Sequence, residues 1–164
     1  MHWRRGEEGW TLIELVLVVL LLVILAVSVS VSLQNYGTIK LNGAARELAS
    51  DIRFAQQLSM TQQVRHGVIF TANTYTVFEN DNTADPARNP MGGTDFTVDY
   101  STGEFQGITL STVLPGSVVK FDSRGAPLDG SNNALTAGNN TVTLSLSGAT
   151  PITLTIQPNT GRVN

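Results

Sequence analysis

From Leu15 to Val27 every residue is aliphatic, and the run continues without a charge through Ser28, Val29, Ser30, Val31 and Ser32 to Leu33. As a helix rising about 1.5 Å per residue, this stretch is about 28 Å long, close to the roughly 30 Å hydrocarbon core of a bilayer. It is long enough to span a membrane, and that constrains the rest of the chain. Arg4 and Arg5 precede it and the next basic residue is Lys40. This bias predicts a cytoplasmic N-terminus, with everything beyond about residue 40 outside the cytoplasm. A cleaved secretory signal ending near Ala26-Val27-Ser28 is the alternative. Glu7 and Glu8 beside the arginines, and Glu14 inside the apolar block, count against it. An acidic residue at mid-membrane costs about 2.5–3.5 kcal/mol and less near the interface. Glu14 therefore needs either the headgroup region, reached by snorkelling, or a partner.

The 164 residues leave room for one globular domain beyond this segment. Charged residues make up 14% and the formal charge is -3, from 13 acidic against 10 basic residues. Lys40 and Lys120 are the only lysines. Such a chain is poorly suited to neutralising phosphates, so nucleic acid is not an expected partner. With no cysteine, thiolate catalysis, disulfides and Cys-based zinc sites are excluded.

Leu41, Ala45, Leu48, Ile52, Ala55 and Ser59 recur at alternating spacings of four and three. They define one face of an amphipathic helix, with Arg46, Glu47, Asp51, Gln56 and Gln57 off that face. Gly37 and Gly43 are poor helix formers, so a bend or a melted turn is expected around them. From Val64 the apolar period changes to two. Short strands are expected at Val68 and Phe70, Tyr75 to Phe78, Phe96 to Tyr100, Ile108 to Leu110, Val118 to Phe121, Val142 to Leu146 and Ile152 to Ile156. Thr71 to Asn73 and Ser147 to Pro151 read as hairpin turns. Residues 79–94 and 124–140 read as loops rich in Gly, Asn, Asp and Pro. Asp122, Arg124 and Gly125 suit a turn, a contact site being the alternative. The order of elements predicts an α+β fold, a long N-terminal helix packed on an antiparallel β-sheet domain.

Gly9, Trp10, Thr11, Leu12, Ile13 and Glu14, followed by the aliphatic run, resemble the cleavage and methylation signal of type IV pilins and type II secretion pseudopilins. The globular part is similar, more narrowly, to the GspH/FimT family of minor pseudopilins and minor pilins. That likeness rests on Leu48 to Gln57, the hairpin that follows, Val119 to Gly125, and Thr160-Gly161-Arg162-Val163. The resemblance implies a pilin-like fold and cleavage by a prepilin peptidase after Gly9. It implies N-methylation of Trp10, where relatives usually carry Phe, and attraction of Glu14 to the positive terminus of a neighbouring subunit during fibre assembly. Glycine suits a scissile position because it offers no side chain to clash. The implied domains are a leader (1–9), a transmembrane and assembly helix (10–36), its amphipathic extension (37–63) and a β-rich GspH-like domain (64–164). The implied location is the inner membrane in a single pass, with the globular domain periplasmic. The implied partners are prepilin peptidase, other pseudopilins or pilins, and secreted protein cargo.

Two functions share this pattern, a minor pseudopilin of a type II secretion system and a FimT/FimU-like minor pilin that primes a type IV pilus. A membrane-anchored or secreted binding protein that never polymerises is the competitor from another class. Some FimT-like relatives bind DNA through basic residues near a C-terminal Gly-Arg element. Here Arg162 is followed by Val163 and Asn164, and loss of the leader's two arginines and two glutamates leaves the charge at -3. A catalytic reading lacks a Gly-x-Ser-x-Gly elbow, and His66 is expected to be an exposed strand histidine. Glu79, Asp81 and Asp85 share a loop, but without the spacing of a calcium-binding loop they read as solvated. No enzyme activity, cofactor or metal is expected.

Overall fold

The computed structural model describes residues 11–164, and for residues 27–35 the backbone alone. The leader, Gly9 and Trp10 lie outside the described residues. One α-helix, α1 (Leu12–Gln62), is followed by eight short strands. These are β1 (His66–Phe70), β2 (Thr74–Phe78), β3 (Thr97–Asp99), β4 (Thr109–Thr112), β5 (Val118–Phe121), β6 (Pro127–Leu128), β7 (Thr141–Ser145) and β8 (Ile152–Thr155). The chain divides into two units, Met1–Tyr36 and Gly37–Asn164.

In the first unit the described apolar side chains from Leu12 to Leu25 are each at least 38% exposed. Among the described residues, no helix is long and apolar enough to cross a membrane. The described side chains of the aliphatic run end at Ala26.

The second unit carries two antiparallel sheets. The larger has the order β3-β2-β1-β5-β6 and the smaller β4-β7-β8. The helical face expected from the spacing is the buried face. Leu41, Leu48, Ile52, Ala55 and Ser59 are fully buried and Ala45 nearly so. All but Ser59 join one core with Val68, Tyr75, Val119 and Phe121 of the larger sheet and Val142, Leu144 and Leu154 of the smaller. Burying each such aliphatic side chain stabilises the fold by about 1.5–3 kcal/mol, so this helical face holds the two sheets together. Phe54 on α1 also meets Phe96 with ring centroids 5.7 Å apart.

Two expectations are corrected. Residues Gly37 and Gly43 are both helical in α1, so the melted turn, one of the two alternatives expected around them, is not formed. A Cβ on Gly43 would lie 3.2 Å from the Phe105 ring, and one on Gly37 would lie 3.5 Å from the Ala149 Cβ. Gly43 thus thins the helix for close packing on Phe105, whereas at Gly37 a Cβ would make only an ordinary contact. His66 is fully buried. Its backbone N–H donates to Ser59 Oγ at 2.9 Å and its Nδ1 lies 2.8 Å from the Val64 carbonyl, with Nε2 buried without a partner among the described residues.

The seven expected strands are present within a residue or two of their expected limits. The eighth, β6, lies inside what reads as a loop, because a two-residue strand beginning at Pro127 carries no period-two signal. Gly67 pairs with Phe78 and Lys120 at the centre of the larger sheet. A Cβ there would collide with the Val119 carbonyl and come within 2.7 Å of the Phe78 ring, so the sheet closes over it only as glycine.

Candidate assembly site

In the first unit Thr11 opens α1. Its carbonyl accepts the N–H groups of Glu14 at 3.1 Å and Leu15 at 3.2 Å, and its Oγ1 lies 3.3 Å from the Glu14 N–H. A threonine before the first turn satisfies donors that the helix itself leaves free. Glu14 therefore stands in the first turn, exposed, where a carboxylate is favoured by the positive end of the helix dipole. Immediately beyond it the helix presents apolar side chains to its surroundings. A carboxylate at the head of an exposed apolar helix suits docking against another helix or a bilayer, because the apolar area supplies the driving force and the single charge fixes position.

In the second unit three of the four segments behind the family resemblance, all but the hairpin, converge on one place. Gln56 of α1 donates through Nε2 to the Gly125 carbonyl at 2.8 Å and to the Thr160 carbonyl at 2.7 Å. Gly125 ends a turn in which Asp122 Oδ1 accepts the N–H groups of Arg124 and Ala126 at 2.9 and 2.8 Å. The Asp122–Gly125 segment is thus a turn, as its residue types require. Gly161 ends a second turn, its N–H donating to the Gln157 carbonyl at 2.8 Å. Both glycines have positive φ, +82° and +67°, which side chains other than glycine adopt at a cost. A Cβ on Gly161 would lie 2.8 Å from the Phe121 ring and 3.0 Å from the Gly125 carbonyl. One helical turn N-terminal to Gln56, Arg53 Nη2 donates to the Val163 carbonyl at 2.9 Å. Gln56 and Arg53 therefore clasp the C-terminal segment and the β5–β6 turn onto the helix.

Asp81 bridges Lys120 Nζ at 2.8 Å and Arg65 Nη1 at 3.2 Å. Burial alone would raise the Asp81 carboxyl, but the hydrogen bonds and charges of Lys120 and Arg65 outweigh it and hold the group below its ordinary value. Asp85 accepts a hydrogen bond from Asn80 Nδ2 at 3.1 Å. The acidic loop spends its charge on the protein's own donors, and among the described residues no cluster of three ligating side chains could hold a metal. On α1, Tyr75 Oη donates to Asp51 Oδ2 at 2.6 Å. Burial raises the Asp51 carboxyl and the Tyr75 hydrogen bond only partly offsets it. Burial likewise raises Glu47, with the charges of Asp51 and Glu104 adding to it. Tyr75 is itself pushed far above its ordinary value by burial and by Asp51, so its hydroxyl remains a donor. Arg162 is exposed at the C-terminal turn.

A family model described as type II transport protein GspH matches residues 44–162. The chain belongs to the GspH family. The match spans the core-forming half of α1, both sheets and the Gln56 clasp. No curated protein and no solved structure matches. Membership in the GspH family carries a pseudopilin-like role in type II secretion, with other pseudopilins as partners at that coarse level. The Gln56 clasp, the buried His66 and the Asp81–Lys120 pair had no signal of their own in the sequence. Three of the four segments that the resemblance singled out were the pointer to the clasp.

Proposed function

We propose that the protein is a minor pseudopilin of a type II protein secretion system, a structural subunit without enzyme activity. Prepilin peptidase cuts after Gly9 on the cytoplasmic side and Trp10 becomes the N-methylated terminus. Residues 10–36 cross the inner membrane and, in the pseudopilus, bundle with the helices of neighbouring subunits. Glu14 attracts the positive terminus of a neighbour, an interaction strengthened by the low dielectric of the bundle. The domain from Gly37 onward stands in the periplasm, where it contacts other pseudopilins or secreted cargo.

The observation that carries this reading is the GspH match over 44–162 in a chain whose first unit is an exposed apolar helix headed by Glu14. Deleting the gene and quantifying the culture supernatant and the sheared surface fibres in one proteomic run tests it. Loss of exported soluble proteins with surface pilin unchanged is the expected result. Loss of sheared pilin with the exported proteins intact would move the protein to a type IV pilus.

A further inference from the structure

A groove of about 260 Å³ runs between α1 and β3, the edge strand of the larger sheet. Glu47 and Asp51 line its helix side, and Phe54, Phe96 and Val98 form an apolar wall. Met91, from the loop before β3, also lines it and is 93% exposed. Among the described residues no cation pairs with Glu47, Asp51 or the neighbouring Glu104. Against the pull of burial, Lys120 and Arg65 hold Asp81 low. Nothing does this for Glu47 or Asp51. Burial raises both, and the Asp51 and Glu104 charges raise Glu47 further.

The basic side chains around the groove are engaged elsewhere. Lys40 donates to the Gln106 carbonyl at 2.7 Å, and Arg88 to the Gly93 carbonyl at 3.2 Å. Arg46 and Arg53 lie on the other flank of α1, beside Ala45, Ala49 and Leu154. A buried hydroxyl is also left over. Phe96, Val98 and Tyr100 alternate onto the helix side of β3, while Thr97 and Asp99 are exposed. Tyr100 is 1% exposed and meets the Tyr75 ring edge-on, with centroids 5.8 Å apart. Its Oη is buried without a hydrogen-bond partner among the described residues. Burial raises this hydroxyl and the charges of Glu47 and Asp51 add to it, so it stands in the field of the same carboxylates. An unpaired buried hydroxyl is costly, and here it points to a group supplied from outside.

That group is an extended cation. Among the described residues no three ligating side chains could enclose a metal ion. A guanidinium instead spreads five N–H donors over a plane, and its methylene stem packs on apolar surface. We propose that the groove is a docking site for an arginine side chain of a partner protein. The stem lies along Phe54, Phe96 and Val98 beside Met91. The guanidinium donates to Glu47 and Asp51, and Tyr100 Oη accepts a remaining N–H. This goes beyond the pseudopilin reading by naming the chemistry of a contact, and gene deletion and arginine binding can each fail without the other.

The test uses the full chain in detergent micelles with isotope-labelled methionine methyl groups, read by NMR. Met91 reports on the groove, and Met60, beside Gly125, is the internal reference. Acetyl-Gly-Arg-Gly-amide should move the Met91 signal saturably at about millimolar concentration and leave Met60 in place. The same peptide with neutral citrulline for arginine should bind about tenfold more weakly, a control that needs no variant to fold. Glu47→Gln should weaken arginine binding about fivefold and Tyr100→Phe about threefold. No saturation by ~30 mM peptide, equal binding of the citrulline peptide, or unchanged affinity in either variant would overturn the proposal. A Met91 signal that moves with protein concentration alone would make the occupant a second copy of this chain and overturn the partner.

Discussion

The two ends of α1 use the same backbone in opposite ways. Around Leu15 to Leu25 apolar residues point to every side and stay more than a third exposed. Around Leu41 to Ala55 they are confined to one stripe, and that stripe is sealed against two sheets. A helix that is apolar all round needs surroundings made by other molecules, whereas a striped helix can be satisfied by its own chain. The first unit therefore leaves its apolar surface to other molecules, while the second unit buries its own. The two should be separable by mutation.

The largest expected effect is on assembly. Glu14→Ala should leave cleavage intact and unfolding of the second unit unchanged, yet prevent incorporation into pseudopilus complexes. Normal incorporation of the variant in purified complexes would remove the role given to Glu14. Leu48→Ala attacks the other side of the comparison. It opens a hole where helix and sheets meet and should cost about 2–5 kcal/mol in denaturant unfolding, with processing at Gly9 unaffected. Gln56→Ala is expected to cost about 1–2 kcal/mol, because the part-buried Gly125 carbonyl and the exposed Thr160 carbonyl lose their donor at once. Amide exchange should then show the C-terminal segment loosening before the core; uniform loss of protection would mean that Gln56 is not a local clasp.

The smallest effect is a matter of pH. Asp51 and Glu47 have raised values in the fold, so the folded state takes up their protons first. Their contribution to stability is full below the ordinary carboxylate range and is lost as pH rises through the raised values. Asp81 works in the opposite sense. Its contribution is present above the ordinary range and is lost as pH falls through its lowered value. Asp51→Asn keeps an acceptor for Tyr75, so it should flatten the slope above the ordinary aspartate range with little change in the acid limb. Asp81→Asn should flatten the acid limb below about pH 4. Thermal melts from pH 3 to 7 on both variants check the signs, and parallel shifts at all pH values would refute the assignment.

How far the sequence could be read depended on whether a residue's signal was local. The buried stripe of α1 was legible because helical spacing alone places Leu41, Leu48 and Ile52 on one face. The strands were legible from their alternation, and the Asp122 turn from its residue types. His66 was misjudged as exposed, since nothing in its neighbours shows that Ser59 caps its N–H from the helix. Lys120 sits in a strand that alternation would leave half-exposed, yet all four residues of β5 are buried. The loops bearing Asp81 and Asn132 fold over that outer face and bond Lys120 Nζ at 2.8 and 3.2 Å. Such closure depends on residues 39 and 12 positions away, and no short window carries it. Gly43 misled for the same reason, since propensity reads it as a break while close packing against Phe105 accounts for it. The place of Glu14 in the first turn of α1 was legible because a charge heading an aliphatic run stands out without any tertiary context.

The most direct test of a chain with an outward-directed helix and a self-contained domain is the N-terminus of the mature protein from purified membranes. Intact-mass and terminal-peptide mass spectrometry should find a chain beginning at N-methylated Trp10 with the aliphatic helix retained. A chain beginning near Val29 would mean the helix is discarded as a secretory signal, and one beginning at Met1 or His2 would mean a plain membrane anchor. Either result would contradict the assembly role given to the first unit.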